Sequence, residues 1–346
     1  MPRLRKRLRP IHRWPTKAPE VSHRFKWDAH VCLPISVNTD VRDLLAYQRA
    51  GVDFISLNIG MCMNSLSQID PVIAHFTAAI AATPGLKLVG SVDDLQPGVT
   101  GVAFDLEGAR PLQGRAEAVA TFHAQGVRMM HLAYNRNNDV AGGCHDVPMG
   151  LTALGHDVVA EANRVGVLLD LSHTGEASSF DIIAASTRPV VYSHANAAAL
   201  HDHARNISDA QMRAVADTGG VVCPTGVGKF MGLDRAPSAE DMLPYIDHAL
   251  VTVGEEHVGL GSDMWFGQDG VDETPPPDPA TGEGFDPHYW WPEAFDYDHG
   301  ATAIGGGYLA PEEWAVLPGL LDDHLGPRIA DKVLGQNMRR VAAEVW

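Results

Sequence analysis

His30, Glu107, His173, His194 and Asp263 each stand at or just beyond the end of a short apolar run in this 346-residue chain. Imidazole nitrogens and carboxylate oxygens are the donors that hold zinc and related divalent ions. A histidine ending one buried strand is most simply a packed core residue. Five such positions, supplied by separate runs, point instead to a metal site assembled at the strand ends of a (β/α) barrel. The chemistry this implies is metal-dependent hydrolysis.

The surroundings of these residues refine the reading. The first run ends Asp28-Ala29-His30-Val31-Cys32. Strand side chains repeat every two residues, so His30 and Cys32 share a face. Cys32 is either a soft thiolate donor or a small buried hydrophobe. Glu107 closes the run FDLEG, and a carboxylate there needs a cation or hydrogen-bond donors to offset its desolvation. No lysine lies within residues 101–135, so Glu107 is the evident group to bridge two metals. His173 and His194 close LLDLSH and VVYSH, with Asp170 and Ser172 as candidate supporting partners. Asp263 closes HVGLGSD and is placed to bind metal or to move a proton. Tyr134 and Asn135 follow MMHLA and are candidate substrate contacts. Arg205 precedes a helix start at Ser208, where a guanidinium is placed to hold a carboxylate or to make a surface ion pair. His201 and His203 read as loop residues.

Eight apolar runs have to carry these groups: 27–35, 52–59, 101–106, 127–133, 166–172, 189–193, 219–224 and 257–262. They are near-continuously apolar, as parallel strands covered on both faces are. Helical patterns alternate with them. Thr39 and Thr152 read as N-caps, and Ser208 with Gln211 and Ser238 with Asp241 have the capping-box spacing. The expected fold is therefore α/β, a (β/α)8 TIM-type barrel over residues 26–346. An open doubly wound sheet is the weaker option, because no G-x-G-x-x-G follows an early strand. Residues 267–310 interrupt the alternation with a Pro-, Gly- and aromatic-rich insert, read as a lid or subunit contact on the active-site face. The chain ends in two closing helical segments.

Composition excludes several function classes. The formal net charge is −17, and residues 1–17 hold seven Lys or Arg and no acid, so the remainder is strongly acidic. An acidic body argues against a nucleic-acid partner. Residues 1–25 read as a basic, poorly ordered tail without the apolar stretch of a secretory signal. No run is long and apolar enough for a membrane span. Four scattered cysteines make a disulfide framework improbable and suggest a reducing, cytoplasmic setting.

The segment GLTALGHDVVAEANRVGVLLDLSHTGEASSFDIIAASTRPVVYSHANA, followed by RNISD, GGVV and HVGLGSD, resembles the membrane dipeptidase (renal dipeptidase) family of zinc peptidases, within the amidohydrolase-like barrels. The likeness runs from about residue 26 to the C-terminus. It implies that His30 binds one zinc, that Glu107 bridges two, and that His173 and His194 bind the second. It also implies that Asp263 handles protons beside the metals and that Arg205 holds the substrate carboxylate. A homodimer is implied on the same ground. The implied activity is cleavage of dipeptides with an L- or D-residue on the C-terminal side by metal-activated water, with Tyr134 assisting at the oxyanion. Three departures stand out. The family's H-x-D is His30-x-Cys32, its substrate-contacting His is Tyr134, and its GGDFDG is GSDMWFG, with Trp265-Phe266 in place of the second acid. These keep two other readings open: a single-metal amidase or lactonase acting on N-acyl amino acids, and a catalytically impaired binding barrel.

Overall fold

A computed structural model of the chain describes residues 23–272, 274–275, 285–292 and 307–346. Nine strands form one sheet: β1 (Trp27–Cys32), β2 (Phe54–Met61), β3 (Leu86–Leu88), β4 (Thr100–Glu107), β5 (Val127–His131), β6 (Leu168–Asp170), β7 (Val190–Tyr192), β8 (Val221–Val222) and β9 (Met264–Trp265). All ladder pairings are parallel, in the order β8-β7-β6-β5-β4-β2-β1-β9, with β3 on the N-terminal half of β4.

The expected last strand, 257–262, forms no ladder of its own. It closes the sheet through single bridges, Val222 to Val258 and Thr225 to Gly261. On its other side the Ala29 N–H donates to the Leu260 carbonyl and the Asp263 N–H to the His30 carbonyl, each at 3.0 Å. A Cβ at Gly261 would sit 1.9 Å from the Ser193 carbonyl oxygen, so only glycine lets β7 and this segment approach so closely. The (β/α) barrel expected from the strand–helix alternation is thus present.

Strand periodicity sorts the side chains. Ile55, Leu57, Ile59, Phe104 and Leu106 face the surrounding helices in the larger core cluster. Trp27, Phe54, Ala103, Met129, Leu168 and Val221 face inward and pack with Met338 and Val341 of the last helix, Asn337–Val345, to fill the barrel floor. Further along the same inward faces the residues turn polar, from Phe54 to Ser56 and Asn58 and from Ala103 to Asp105 and Glu107. In β1 the pairing with β2 shifts register between Asp28 and Val31. That irregularity lets Ala29 join the floor while His30 enters the polar layer.

Helix starts match the sequence reading at Thr152, whose hydroxyl accepts from the Gly155 N–H, and at the Ser208 and Ser238 capping boxes. Thr39 differs. Its hydroxyl donates to the Pro34 carbonyl, and Asp40 caps the short helical segment that begins at Val41. The carboxylate won this cap because it can also chelate Arg42 two residues on. Of the basic tail, residues 1–22 lie outside the described residues, as does much of the 267–310 insert. Residues 23–25 are tied down, His23 to Asp53 at 2.7 Å and Arg24 to Asp331 at 2.9 Å. No described helix is long and apolar enough to cross a membrane.

The floor should dominate stability. Trp27 is buried and stacked on Phe54 at 3.7 Å between ring centroids. Trp27→Ala is expected to cost about 3–5 kcal/mol in denaturant unfolding, the usual price of an emptied aromatic site. A loss below 1 kcal/mol would show that the floor repacks.

Candidate metal centre

Glu107 ends β4 pointing into the barrel, and three histidines from three other strand ends meet it. Its Oε1 lies 3.3 Å from His30 Nε2, 3.1 Å from His173 Nε2 and 3.6 Å from His194 Nε2. Asn58 of β2 donates to its other oxygen. Asp263 Oδ1 is 3.8 Å from His30 Nε2, and Cys32 Sγ is 3.4 Å from the same nitrogen. The donor atoms fall into overlapping groups, including His30–Cys32–Glu107, Glu107–His173–His194 and His30–His194–Asp263. The structure therefore brings together every residue singled out as a metal donor, with Glu107 common to two triads.

The electrostatics fit a divalent cation. Burial works to raise the Glu107 pKa, but His30 and His173 outweigh it and hold the carboxyl well below its usual range. Burial lowers the pKa of His173 and His194 well below normal, with Arg205 adding to the effect, so both stay neutral and offer lone pairs. For His30, burial opposes charge, yet Asp105 and Glu107 prevail and raise it well above normal. That negative field is what a dication would satisfy. The buried Nε2 of His194 has no hydrogen-bond partner in the described structure, as expected of a nitrogen reserved for a metal. Burial pushes the Cys32 thiol up to about 12 and the Asp263 carboxyl up to about 7, with His30 opposing both shifts.

A ring of carboxylates below orients these donors. Asp170 Oδ1 accepts from the Ser172 and Ser193 backbone N–H groups at 2.9 and 3.1 Å, pinning the two turns that carry His173 and His194. Asp28 Oδ1 accepts from the Ser262 N–H at 2.8 Å and so steadies the turn to Asp263. Asp105 faces His30 Nδ1 at 3.3 Å and accepts from Ser56 Oγ at 2.8 Å. Ser193 Oγ lies 2.6 Å from His194 Nδ1. Such partners fix ring orientation and raise ligand basicity. Four non-glycine residues among those described have positive φ, and three of them are Asn135, His173 and Asp263. Left-handed backbone at such residues costs of order 1–3 kcal/mol each and persists only where surrounding contacts impose it.

Sequence reasoning named Asp170 and Ser172 as supports but passed over Asn58, Asp105 and His131. His131 lies at the end of β5, 3.0 Å from Asp170, but in sequence it sits inside the apolar run 127–133 and so did not stand out as His173 and His194 do. Asp105 is two residues from Glu107 and so shares its face, which was a readable signal. Asn58 carried none.

Tyr134 stacks on His173 with 4.2 Å between centroids, and its hydroxyl stays protonated because burial raises its pKa well above 10. Asn135 is buried, and its side chain bonds His173 Nδ1 and the Trp290 carbonyl. Arg205 is also buried. Its guanidinium lies over Phe230 and donates to the His194 carbonyl at 3.3 Å, while its Nε has no partner in the described structure. Two cavities meet at His173. One, about 690 Å³, is mixed in character and includes Arg205, His203 and Ser208; the other, about 80 Å³, lies beside Cys32, Tyr134, Trp265 and Trp291.

The sequence model for membrane dipeptidases (peptidase family M19) matches residues 62–276. The chain belongs to this family. The matched span contains Glu107, Tyr134, His173, His194, Arg205 and Asp263, while His30 and Cys32 precede it. An uncharacterized dipeptidase of Schizosaccharomyces pombe is 32% identical over 205 residues, 55% of this chain and 48% of that protein. The dipeptidase aclJ of Aspergillus oryzae is 32% identical over 209 residues, 58% of this chain and 50% of that protein. The chain thus spans about half the length of these curated relatives. An amidohydrolase from Pseudomonas aeruginosa superposes with a TM-score of 0.77 at 25% identity, over 93% of this chain and 97% of that one. A metallopeptidase from Rhodobacter sphaeroides, liganded with a phosphinate mimic of L-Ala-D-Ala, shares the fold with a TM-score of 0.71 at 19% identity, over 94% and 100% of the two chains. Membership in the M19 family implies a bound metal, and the donor set here suits one.

Removing donors from the two triads should be separable. Cys32→Ala and His173→Ala are each expected to lower the divalent metal bound per chain, and the double variant to abolish it, as read by elemental analysis of dialysed protein. Unchanged metal content in Cys32→Ala would leave Cys32 as a packing residue.

Proposed function

We propose that this M19 chain is a zinc-dependent hydrolase of dipeptides. The observation that carries the reading is one Glu107 oxygen within 3.1–3.6 Å of three histidine nitrogens, with a buried arginine beside them. His30, Cys32 and Glu107 would hold one zinc, and Glu107, His173 and His194 a second. Zinc in such a site supplies Lewis acidity toward the scissile carbonyl and acidifies water to near neutrality.

The chain's own groups supply the rest. Arg205 presents an unpaired N–H from an apolar bed and selects a free terminal carboxylate, for which a guanidinium is the natural partner. It lines the larger cavity, so the C-terminal residue of the substrate would lie there. Asp263, raised to about 7 by burial with His30 opposing, is able to hold a proton and pass it to the leaving amine. A bound cation would draw its pKa back down, towards a base at neutral pH. Tyr134 remains a neutral donor near the reacting carbonyl, where hydrogen bonds strengthen as charge develops. The dipeptide mimic bound by the Rhodobacter sphaeroides neighbour is consistent with this substrate class.

One observation favours a second reading. Among the described residues lining the small cavity, the only carboxylates are Glu107 and Asp263, both already engaged at the metal centre, and Cys32 stands where the family has an acid. A neutral acyl group suits that space, so N-acyl amino acids on a single-metal site are the alternative. Four free cysteines support a reducing, cytoplasmic setting, and the family likeness supports a homodimer.

A panel of dipeptides with L- and D-C-terminal residues, together with N-acyl amino acids, distinguishes the readings. Zinc-loaded protein is expected to release amino acids from dipeptides and to lose that activity on chelation. Exclusive turnover of N-acyl amino acids would transfer the assignment to the amidase. Arg205→Ala should raise KM about 10–100-fold, the equivalent of one charged hydrogen-bonded contact, while a C-terminally amidated substrate should not distinguish the variant from wild type. An unchanged KM for free dipeptides would remove Arg205 from the binding site.

A further inference from the structure

Asn135 sits between a metal donor and the insert, and both ends of its amide are committed. Its Nδ2 lies 3.0 Å from the Trp290 carbonyl oxygen and its Oδ1 lies 2.7 Å from His173 Nδ1. A carbonyl oxygen only accepts, so the NH2 group must face Trp290 and the amide oxygen must face His173. That oxygen also only accepts, so His173 carries its proton on Nδ1. The Cys144 thiol, 3.5 Å from the same oxygen, is a further donor consistent with this orientation. His173 Nε2 is left with a free lone pair, directed to Glu107 at 3.1 Å. Docking of residues 285–292 therefore sets the amide, the amide sets the tautomer, and the tautomer sets the donor.

The same segment also packs on the ligand ring itself. Trp291 meets His173 edge-on at 5.8 Å and Tyr134 edge-on at 5.5 Å, and Tyr134 in turn stacks on His173. Arg136, next in sequence, donates to the Tyr289 carbonyl and lies over its ring at 4.8 Å. Asn135 holds a left-handed backbone, φ 57°, which asparagine tolerates better than most residues.

We propose that Asn135 is a positioning residue that couples the 285–292 segment of the insert to metal binding at His173. The inference rests on the metal-centre reading above. Coupling is reciprocal: if the docked segment favours the metal-ready tautomer, bound metal favours the docked segment by the same factor. The 285–292 segment is thereby held more firmly against the centre when metal is bound.

The test uses zinc as the probe and two readouts independent of catalysis: zinc affinity by chelator competition, and amide hydrogen exchange across 285–292. In wild-type protein, zinc should slow exchange in this segment about tenfold, within the usual range of coupling between sites. Asn135→Asp keeps an acceptor for His173 Nδ1 but loses the donor to Trp290, so zinc affinity should stay close to wild type while exchange becomes zinc-independent. Asn135→Ala loses both bonds, and zinc affinity should fall about 10–100-fold, as for other outer-shell partners of a ligand. The retained zinc affinity of Asn135→Asp controls against misfolding. Zinc-independent exchange in wild-type protein that does bind zinc would overturn the coupling alone. Zinc-dependent protection that survives in Asn135→Asp would do the same, as would wild-type zinc affinity in Asn135→Ala. Failure of wild-type protein to bind zinc would remove the metal-centre reading and the coupling together.

Discussion

A carboxylate buried at the centre of a barrel is the constraint from which the rest of this site follows. An ionised Glu107 out of contact with water would be costly by several kcal/mol unless surrounded by donors or cations. The barrel answers with Asn58 donating to one oxygen and His30, held well above its usual pKa, beside the other, where the Nε2 lone pairs of His173 and His194 also converge and call for a cation. Each imidazole brings its own requirement, since its second nitrogen must also be satisfied. Asn135 meets His173 and Ser193 meets His194 by hydrogen bonds, while Asp105 faces His30 as an ion pair at 3.3 Å. The demand passes outward one layer at a time and ends on backbone N–H groups held by Asp28 and Asp170. A network of this kind specifies one geometry, because leaving any member unpaired is expensive.

The packing beneath makes that geometry rigid. The same inward strand faces that carry Glu107, Asn58 and His131 begin with Ala103, Phe54 and Met129, which fill the floor against the last helix. Polar groups therefore stand on a dry base that cannot yield without opening a cavity. The left-handed residues Asn135, His173 and Asp263 lie on the rim above, where strands turn into loops. Their strain is sustained by the buried hydrogen bonds that hold each turn, and it aims side chains that a relaxed turn would direct elsewhere.

Much of this was legible in the sequence, for a physical reason. Parallel strands buried on both faces read as continuous apolar runs, so an acid or histidine at the end of one is conspicuous, as with Glu107 in FDLEG or His194 in VVYSH. The barrel followed from the alternation of those runs with capped helices. Other features were hidden because they depend on contacts between distant residues. Asn58 is one polar residue among many until Glu107 is seen beside it. Asn135 read as a substrate contact, yet both ends of its amide are bonded within the protein. The Thr39 cap failed because Asp40, one residue on, also engages Arg42. The closing strand at 257–262 carried the right apolar pattern, and it pairs with its neighbours through isolated bridges and single backbone hydrogen bonds that no local sequence pattern announces.

The three departures from the M19 pattern are scattered in sequence but not in space. Cys32, Tyr134 and Trp265 all line the same small cavity, alongside Phe285 and Trp291 from the insert. Glu107 and His173 line it too, while Arg205 lines the larger cavity. The residues that depart from the family pattern thus share one cavity with two of the donors. A decaying site would lose its costly buried charges first, because each destabilises the fold once its partner has gone. Here Glu107, Asp263 and Arg205 are all present, with Asn58 on Glu107 and the His194 carbonyl on Arg205. The altered residues instead cluster around a cavity beside the donors, so they change the surface next to the centre and leave its charged groups in place.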